Sequence, residues 1–159
     1  MKRVYWVIPE TIAGRCGPEM APWDCWDLHA GGIKAIVSLT EPDDETKIRD
    51  AQIEHLPLYF PAMLLMSEHD YTYFLSFVPP FLDFADRVID EGKPMMVHCT
   101  YGCDRTGAMI SIYLVARHGY TAEEAIKKVR IHQPPAMSAE GYEQVVYHYE
   151  KLIAGGENS

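Results

Sequence analysis

The chain has 159 residues, of which 48% are hydrophobic and 23% charged, as expected for one globular domain with a sizeable core. A net charge of −9 repels nucleic acid and anionic membrane surfaces, which argues against both as partners. No apolar stretch approaches the roughly 18 residues of a membrane-spanning helix, so no membrane span is expected.

The first part of the chain predicts an alternation of short strands and helices. Residues 4–8 have the pattern of a strand, and residues 21–30 that of a helix that stops at two glycines. The β-branched run AIVSLT (35–40) is typical of a buried parallel strand. A short helix near 45–52 and a further strand, IEHLPL (53–58), follow.

The second part begins with a helix-rich region at about 70–91, which Pro79 and Pro80 either kink or divide in two. PMMVHC (94–99) is the fourth predicted strand, and the segment 106–118, apolar on nearly all sides, predicts a buried central helix.

Two more helices are expected before the end of the chain. Thr121 and Glu124 have the spacing of a capping box, which predicts a helix to about His132. Ser138 is the expected cap of a last helix that runs to about Ile153.

Alternation of strands and helices predicts an α/β fold with a central, mostly parallel sheet of about four to five strands flanked by helices. We expect one domain over residues 1–154 and a disordered tail over 155–159. In such sheets, sites lie beyond the carboxyl ends of the strands, which is the position of VHCTYGCDRTG (97–107).

The chemistry of this stretch is that of an anion-binding loop. Five residues separate Cys99 from Arg105, namely Thr100, Tyr101, Gly102, Cys103 and Asp104. A loop of this length can turn its N–H groups inward as a nest for a tetrahedral anion, backed by a helix N-terminus. The fork of Arg105 suits two phosphate oxygens, and the positive field favours the nucleophilic thiolate of Cys99.

Two neighbouring residues are expected to support the cysteine. His98 would hold the loop and tune the thiolate, and the hydroxyl of Thr106 would donate a hydrogen bond to the sulfur. Cys103 either forms a disulfide with an oxidised Cys99 or is an ordinary small loop residue.

HCTYGCDRTG resembles the signature loop of the cysteine-dependent protein tyrosine and dual-specificity phosphatases, His-Cys-x-x-Gly-x-x-Arg-Thr/Ser-Gly. WVIPETIAG, GIKAIVSLTE and EGKPMMVHC are similar to segments of the small atypical dual-specificity phosphatases. The resemblance implies a protein tyrosine phosphatase-like fold, Cys99 as the nucleophile of a phosphocysteine intermediate, and Arg105 with the loop residues 100–105 as the phosphate-binding group. It implies no metal and no cofactor.

The general acid departs from the pattern of this family. The resemblance implies an aspartate after a strand of the form Leu-Pro-Ile-Pro-Asp, but Phe60 stands at that position. Asp70 is the first candidate in its place, although it also suits a helix N-cap. Asp104 is the second, because phosphoinositide phosphatases of the myotubularin and Sac types also carry Asp-Arg-Thr, and Glu68 is the third.

The predicted function is that of a protein tyrosine or dual-specificity phosphatase acting on a phosphorylated protein or a small phosphate monoester. The alternatives are a phosphoinositide or inositol phosphate phosphatase of the same superfamily and, because of Phe60, a phosphate-binding pseudophosphatase. The apolar run YFPAMLLM (59–66) is either a lid over the site or a loop packed on the core.

The sequence also predicts where the protein resides. Lys2 and Arg3 lead directly into a strand-like run, which is not the pattern of a secretory leader. The four cysteines do not have the spacing of a disulfide-stapled secreted domain. We therefore expect a cytoplasmic protein with reduced thiols.

Overall fold

The five strands of the protein form one sheet in the structure, a computed structural model that describes residues 1–156. Of the expected tail at 155–159, residues 157–159 lie outside the described residues. The strands are β1 (Tyr5–Ile8), β2 (Ile12–Cys16), β3 (Ala35–Ser38), β4 (Glu54–Pro57) and β5 (Met95–Cys99). Their order in the sheet is β1-β2-β5-β3-β4.

All neighbouring strands are parallel except β1 and β2, which form an antiparallel pair. β5 is central, with Cys16 of β2 opposite Cys99 and Ser38 of β3 opposite His98. The carboxyl ends of the four parallel strands β2, β5, β3 and β4 therefore meet at one edge of the sheet. The expected α/β fold with a mostly parallel sheet is confirmed.

Helices cover both faces of this sheet. They are α1 (Cys25–Ala30), α2 (Glu45–Asp50), α3 (Glu68–Leu75), α4 (Val78–Asp90), α5 (Asp104–His118), α6 (Ala122–His132) and α7 (Tyr142–Ala154). Side chains of α1 and α2 pack with Ile36 and Met96 in the smaller apolar cluster. Side chains of α3 to α7 pack with Val37 and Val97 in the larger one, so successive residues of each central strand serve opposite faces.

Strand β2 was not expected from the sequence. Its residues IAGRC are fully buried, yet they include a glycine and an arginine, which are weak strand signals. Gly14 is required because the ring of Tyr5 on β1 occupies the position of a side chain. Arg15 is 1% exposed and donates hydrogen bonds to the carbonyl oxygens of Lys2 and Cys16. Only tertiary contacts make such residues compatible with a buried strand.

The two prolines start a helix instead of kinking one. α3 ends at Leu75 and α4 begins at Val78, so Pro79 and Pro80 lie in the first turn of α4, where a missing N–H leaves no bond unmade. The sequence left this choice open between a kink and a division, and the helices are divided.

The expected cap of the last helix was wrong. α7 begins at Tyr142, and its N-cap is Gly141, not Ser138. Gly141 has a φ of 92°, and a Cβ there would lie 2.1 Å from the carbonyl oxygen of Leu65. This close approach of two distant segments fixes the start of the helix. A capping rule that considers only neighbouring residues cannot predict such a contact.

No helix within residues 1–156 is both long and apolar enough to cross a membrane.

The larger apolar cluster predicts a strong effect of shortening Phe81, which is fully buried on α4. Phe81→Ala should lower the free energy of unfolding by about 3–5 kcal/mol, because it removes a large apolar surface and leaves a cavity. Ile131→Ala, at a helix residue that is 73% exposed, is the control and should change it by less than about 0.5 kcal/mol. Urea unfolding measures both, and equal losses would contradict the placement of the core.

Candidate active site

Cys99 and Arg105 line the same cavity at the carboxyl edge of the sheet. Cys99 ends β5 and is 3% exposed, and Arg105 lies in the first turn of α5 and is 6% exposed. The cavity has a volume of about 240 Å³. Its other lining residues are Ala62, Met63, Leu64, Tyr101, Asp104, Ala139 and Tyr142. The fold thus brings the expected nucleophile and the expected phosphate-binding arginine together.

The loop between them, residues 100–103, is held tightly against β2. Gly102 has a φ of 72°, and a Cβ there would lie 2.5 Å from the carbonyl carbon of Arg15. The hydroxyl of Tyr5 donates to the carbonyl oxygen of Gly102 at 2.6 Å, and the side-chain amide of Gln133 donates to the same oxygen at 3.4 Å. A side chain at position 102 would therefore displace the loop.

Within the described residues, the backbone N–H groups of residues 100–106 donate to no protein acceptor. The last of them belong to the first turn of α5, whose N–H groups have no partner inside the helix. The side chain of Cys103, the N-cap of α5, accepts no capping hydrogen bond from these N–H groups. This run of free donors at a helix N-terminus is suited to an anion with several oxygen atoms.

The guanidinium of Arg105 is held by neutral oxygen atoms. Its Nη1 donates to the hydroxyl of Thr40 at 2.7 Å and to the carbonyl oxygen of Phe60 at 2.8 Å, and its Nη2 donates to the hydroxyl of Thr100 at 3.4 Å. Phe60, at the position where an acid was expected, thus contributes its carbonyl oxygen while its ring stacks on Phe77 in the core. The positive charge of Arg105 is oriented but not neutralised.

Of the three candidate acids, only Asp104 lines the cavity. Its Oδ1 accepts a hydrogen bond from the backbone N–H of Ala139 at 3.2 Å. Asp70 lies in the first turn of α3, where its Oδ2 accepts from the N–H of Met66 at 2.8 Å; the N-cap of this helix is Ser67, not Asp70. Glu68 is an exposed residue at the start of the same helix. The fold therefore brings Asp104, but neither Asp70 nor Glu68, to the cavity that Cys99 and Arg105 line.

His98 lies beneath the loop, on the face of the sheet opposite the side chain of Cys99. The ring is fully buried; its Nδ1 lies 3.4 Å from the carbonyl oxygen of Cys99 and its Nε2 lies 2.5 Å from the hydroxyl of Ser38. Burial lowers the pKa of His98 to about 3, so the ring is neutral at physiological pH.

Thr106 and Cys103, the other two residues expected to interact with Cys99, make no hydrogen bond to its sulfur within residues 1–156. The hydroxyl of Thr106 is buried without a hydrogen-bond partner, so the expected bond to the sulfur of Cys99 is not made. The thiol of Cys103 donates to the carbonyl oxygen of Tyr101 at 3.5 Å, and burial raises its pKa, followed in effect by the nearby Cys99. Both cysteines are free thiols.

The apolar segment 59–66 forms one wall of the cavity and also packs on the core. Leu65 is 2% exposed, whereas Leu64 is 54% exposed at the mouth of the cavity. The hydroxyl of Tyr142 donates to the carbonyl oxygen of Met63 at 2.5 Å, and the N–H of Leu65 donates to the carbonyl oxygen of Glu140 at 3.0 Å. The sequence did not single out Tyr142, whose role depends entirely on a contact between distant segments.

No group of three or more His, Cys, Asp or Glu side chains within residues 1–156 is arranged to hold a metal ion.

The family model for the dual specificity phosphatase catalytic domain matches residues 25–152 of the chain. Among curated proteins, a tyrosine-protein phosphatase CDC14 homolog of Schizosaccharomyces pombe is 35% identical over 106 residues, which are 66% of this chain and 18% of that protein. An RNA/RNP complex-1-interacting phosphatase homolog of Caenorhabditis elegans is 27% identical over 130 residues, 80% of this chain and 55% of that protein. The chain thus spans 18% and 55% of the length of these two relatives.

Solved structures show the same fold. The active form of Tk-PTP superposes with a TM-score of 0.75 at 21% identity and covers 94% of this chain and 97% of its own. PTPMT1 in complex with PI(5)P superposes with a TM-score of 0.71 at 17% identity, over 98% of this chain and 99% of its own.

The close approach of Gly102 to β2 predicts a specific effect of adding a methyl group there. Gly102→Ala should weaken the binding of tungstate, a phosphate analogue, at least about tenfold because the loop must move away from Arg15. Gly92→Ala is a matched control, since Gly92 has a φ of 75° but open space around a Cβ. It should cost about 1–2 kcal/mol of stability and leave tungstate binding unchanged. Calorimetric titration measures the binding, and equal affinities in the two variants would contradict the packing of the loop.

Proposed function

The chain belongs to the dual specificity phosphatase family, and on this premise we propose that it hydrolyses phosphate monoesters through a covalent phosphocysteine at Cys99. The observation that carries the proposal is the cavity in which Cys99 and Arg105 meet a loop with free backbone N–H groups. These are the groups that such chemistry requires: a nucleophile, a fixed cation and preorganised donors for the equatorial oxygens.

In the first step, the sulfur of Cys99 attacks phosphorus and forms an S–P bond as the P–O ester bond breaks. Arg105 and the loop amides hold the phosphoryl oxygens in both the ground state and the transition state. Asp104 gives its proton to the leaving oxygen, which departs as an alcohol or a phenol. Its position in the wall of the cavity supports this role.

In the second step, a water molecule attacks the phosphorus and the S–P bond breaks, which returns the electron pair to the sulfur of Cys99. The carboxylate of Asp104 takes the proton of the attacking water. Inorganic phosphate leaves, and both side chains regain their starting forms. The proton that Asp104 donates in the first step is thus replaced in the second.

The lining of the cavity favours a substrate with one phosphate and an apolar body. Arg105 is the one cation among the described residues that line it, and Met63, Leu64 and Tyr101 form an apolar wall beside it. An adjoining groove of about 460 Å³ shares Arg105 but is also lined by Glu41, which would repel a second phosphate. We therefore propose phosphotyrosine in a protein or peptide as the preferred substrate.

A second candidate is a phosphoinositide with a single phosphate. Two observations favour it. Asp104 and Arg105 belong to an Asp-Arg-Thr sequence that is also found in phosphoinositide phosphatases of the myotubularin and Sac types, and Asp104 lines the cavity. The similar structure of PTPMT1 holds PI(5)P. The single cation of the cavity argues against inositol polyphosphates for either candidate.

The proposed acid is tested with two isosteric variants. Asp104→Asn should lower the turnover of a phosphotyrosine peptide about 100-fold or more, because the poor leaving group needs a proton. Turnover of para-nitrophenyl phosphate should fall by less than about tenfold, since its leaving group needs little help. Cys99→Ser should abolish both activities.

Asp70→Asn is the matched control for this experiment. Its amide oxygen can still accept the hydrogen bond from Met66, and the N-cap Ser67 is unchanged, so turnover should stay within about twofold of the parent. Loss of phosphotyrosine turnover in Asp70→Asn but not in Asp104→Asn would assign the acid to Asp70.

The substrate class is tested by comparing kcat/KM for a phosphotyrosine peptide, PI(5)P, PI(3,4,5)P3 and inositol hexakisphosphate under one set of conditions. The phosphotyrosine peptide should be hydrolysed best, with the two polyphosphorylated compounds at least about tenfold poorer, because only one cation lines the cavity. A preference for PI(5)P would support the second candidate, and a preference for inositol hexakisphosphate would exclude both.

A further inference from the structure

Three polar side chains form a chain of hydrogen bonds across the face of the sheet opposite the side chain of Cys99. The hydroxyl of Ser38 on β3 lies 2.5 Å from Nε2 of His98 on β5 and 2.8 Å from Nε2 of His55 on β4. The ring of His98 reaches the base of the loop through its Nδ1, 3.4 Å from the carbonyl oxygen of Cys99. Ser38 and His55 lie outside the signature sequence and have no part in the steps proposed above.

Burial keeps both histidines neutral, and the nearby charges act in the same direction. Burial lowers the pKa of His98 to about 3 and that of His55 to about 4. The charged groups that face them are Arg15 from β2, Arg49 from α2 and Arg105 from α5, all of them cations. Each ring therefore carries a single proton, either on Nδ1 or on Nε2.

The carbonyl oxygen of Cys99 fixes the position of the proton on His98. A carbonyl oxygen can only accept, so Nδ1 of His98 carries the proton and Nε2 is an acceptor. The hydroxyl of Ser38 must then donate its one proton to Nε2 of His98. Its oxygen consequently accepts from His55, whose proton lies on Nε2.

The other end of this row of hydrogen bonds does not select a direction. Nδ1 of His55 is buried and has no hydrogen-bond partner, and it is unpaired whether or not it carries the proton. In the opposite arrangement, however, Nδ1 of His98 would face the carbonyl oxygen of Cys99 with a lone pair, which costs free energy. The contact with Cys99 therefore sets the direction of all three hydrogen bonds.

We infer that Ser38 and His55 are positioning residues that keep the proton of His98 on Nδ1, so that the ring donates to the carbonyl of Cys99 at the base of the loop. The positive end of this hydrogen bond points toward the residue that carries the sulfur and favours its thiolate form. The inference rests on the proposed function only in taking Cys99 as the reacting group.

The protonation pattern is tested directly on the intact protein by two-bond 15N–1H correlation spectra with 15N-labelled histidine. His98 should show a protonated Nδ1 and a bare Nε2, and His55 a protonated Nε2 and a bare Nδ1. His98→Gln and His55→Gln assign the two sets of signals. A protonated Nε2 on His98 would overturn the inference, whether or not the protein is an active enzyme.

The effect on Cys99 is tested by the pH dependence of its alkylation with iodoacetamide, with the alkylated residue located by tandem mass spectrometry to separate Cys99 from Cys103. Ser38→Ala should move the midpoint upward by about one pH unit, which is an approximately tenfold lower thiolate fraction below the midpoint. Ser111→Ala, at another fully buried serine on α5, is the matched control and should leave it unchanged. Equal midpoints in the two variants would contradict the inference.

Two substitutions of His55 distinguish a positioning role from a packing role for this residue. His55→Gln keeps a side-chain N–H that can donate to Ser38 and should behave as the parent, whereas His55→Leu should follow Ser38→Ala. Alkylation needs no substrate, so shifted midpoints without phosphatase turnover would support this chain of hydrogen bonds and count against the proposed function. Turnover with unshifted midpoints would do the reverse.

Discussion

A buried cation without a carboxylate partner is the feature on which the rest of the site depends. Arg105 is 6% exposed, and within residues 1–156 its guanidinium contacts only hydroxyl and carbonyl oxygens. Burying an unpaired charge costs several kcal/mol, which a bound anion recovers. The fold accepts this cost at the edge where the four parallel strands end, beside Cys99 and a loop whose N–H groups are also free. In the proposed function, phosphate binding and the attack by the sulfur of Cys99 thus have a common electrostatic origin.

The arrangement of strands and helices follows from the sequence wherever a local pattern decides it. The β-branched run of β3 predicts a strand, and the capping box of Thr121 and Glu124 predicts the start of a helix, from neighbouring residues alone. β2 does not, because Gly14 and Arg15 are tolerated there only through contacts with Tyr5 and with carbonyl oxygens far along the chain. The start of α7 depends in the same way on the contact between Gly141 and Leu65.

The same distinction between local patterns and distant contacts applies to the residues of the site. Cys99, Gly102 and Arg105 could be recognised from their spacing, because they lie close together in one short stretch of the sequence. The acid candidates could not be ranked in this way, since distance along the sequence from Cys99 favoured Asp70, whereas Asp104 is the candidate that lines the cavity. Ser38, His55 and Tyr142 carry no local signal at all. Each reaches the site from another element, by a hydrogen bond that only the folded chain brings about.

The wall formed by residues 59–66 is fastened at both ends and in the middle, through Arg105, Tyr142 and the backbone of Glu140. These hydrogen bonds use main-chain atoms of the wall. The side chains of Ala62 and Leu64 take no part in them. In the proposed reaction, substrate choice and chemistry are therefore separable: exchange of these two side chains reshapes the mouth of the cavity while Cys99, Arg105 and Asp104 keep their places. Related chains could diverge in what they hydrolyse by a few substitutions on an unchanged backbone.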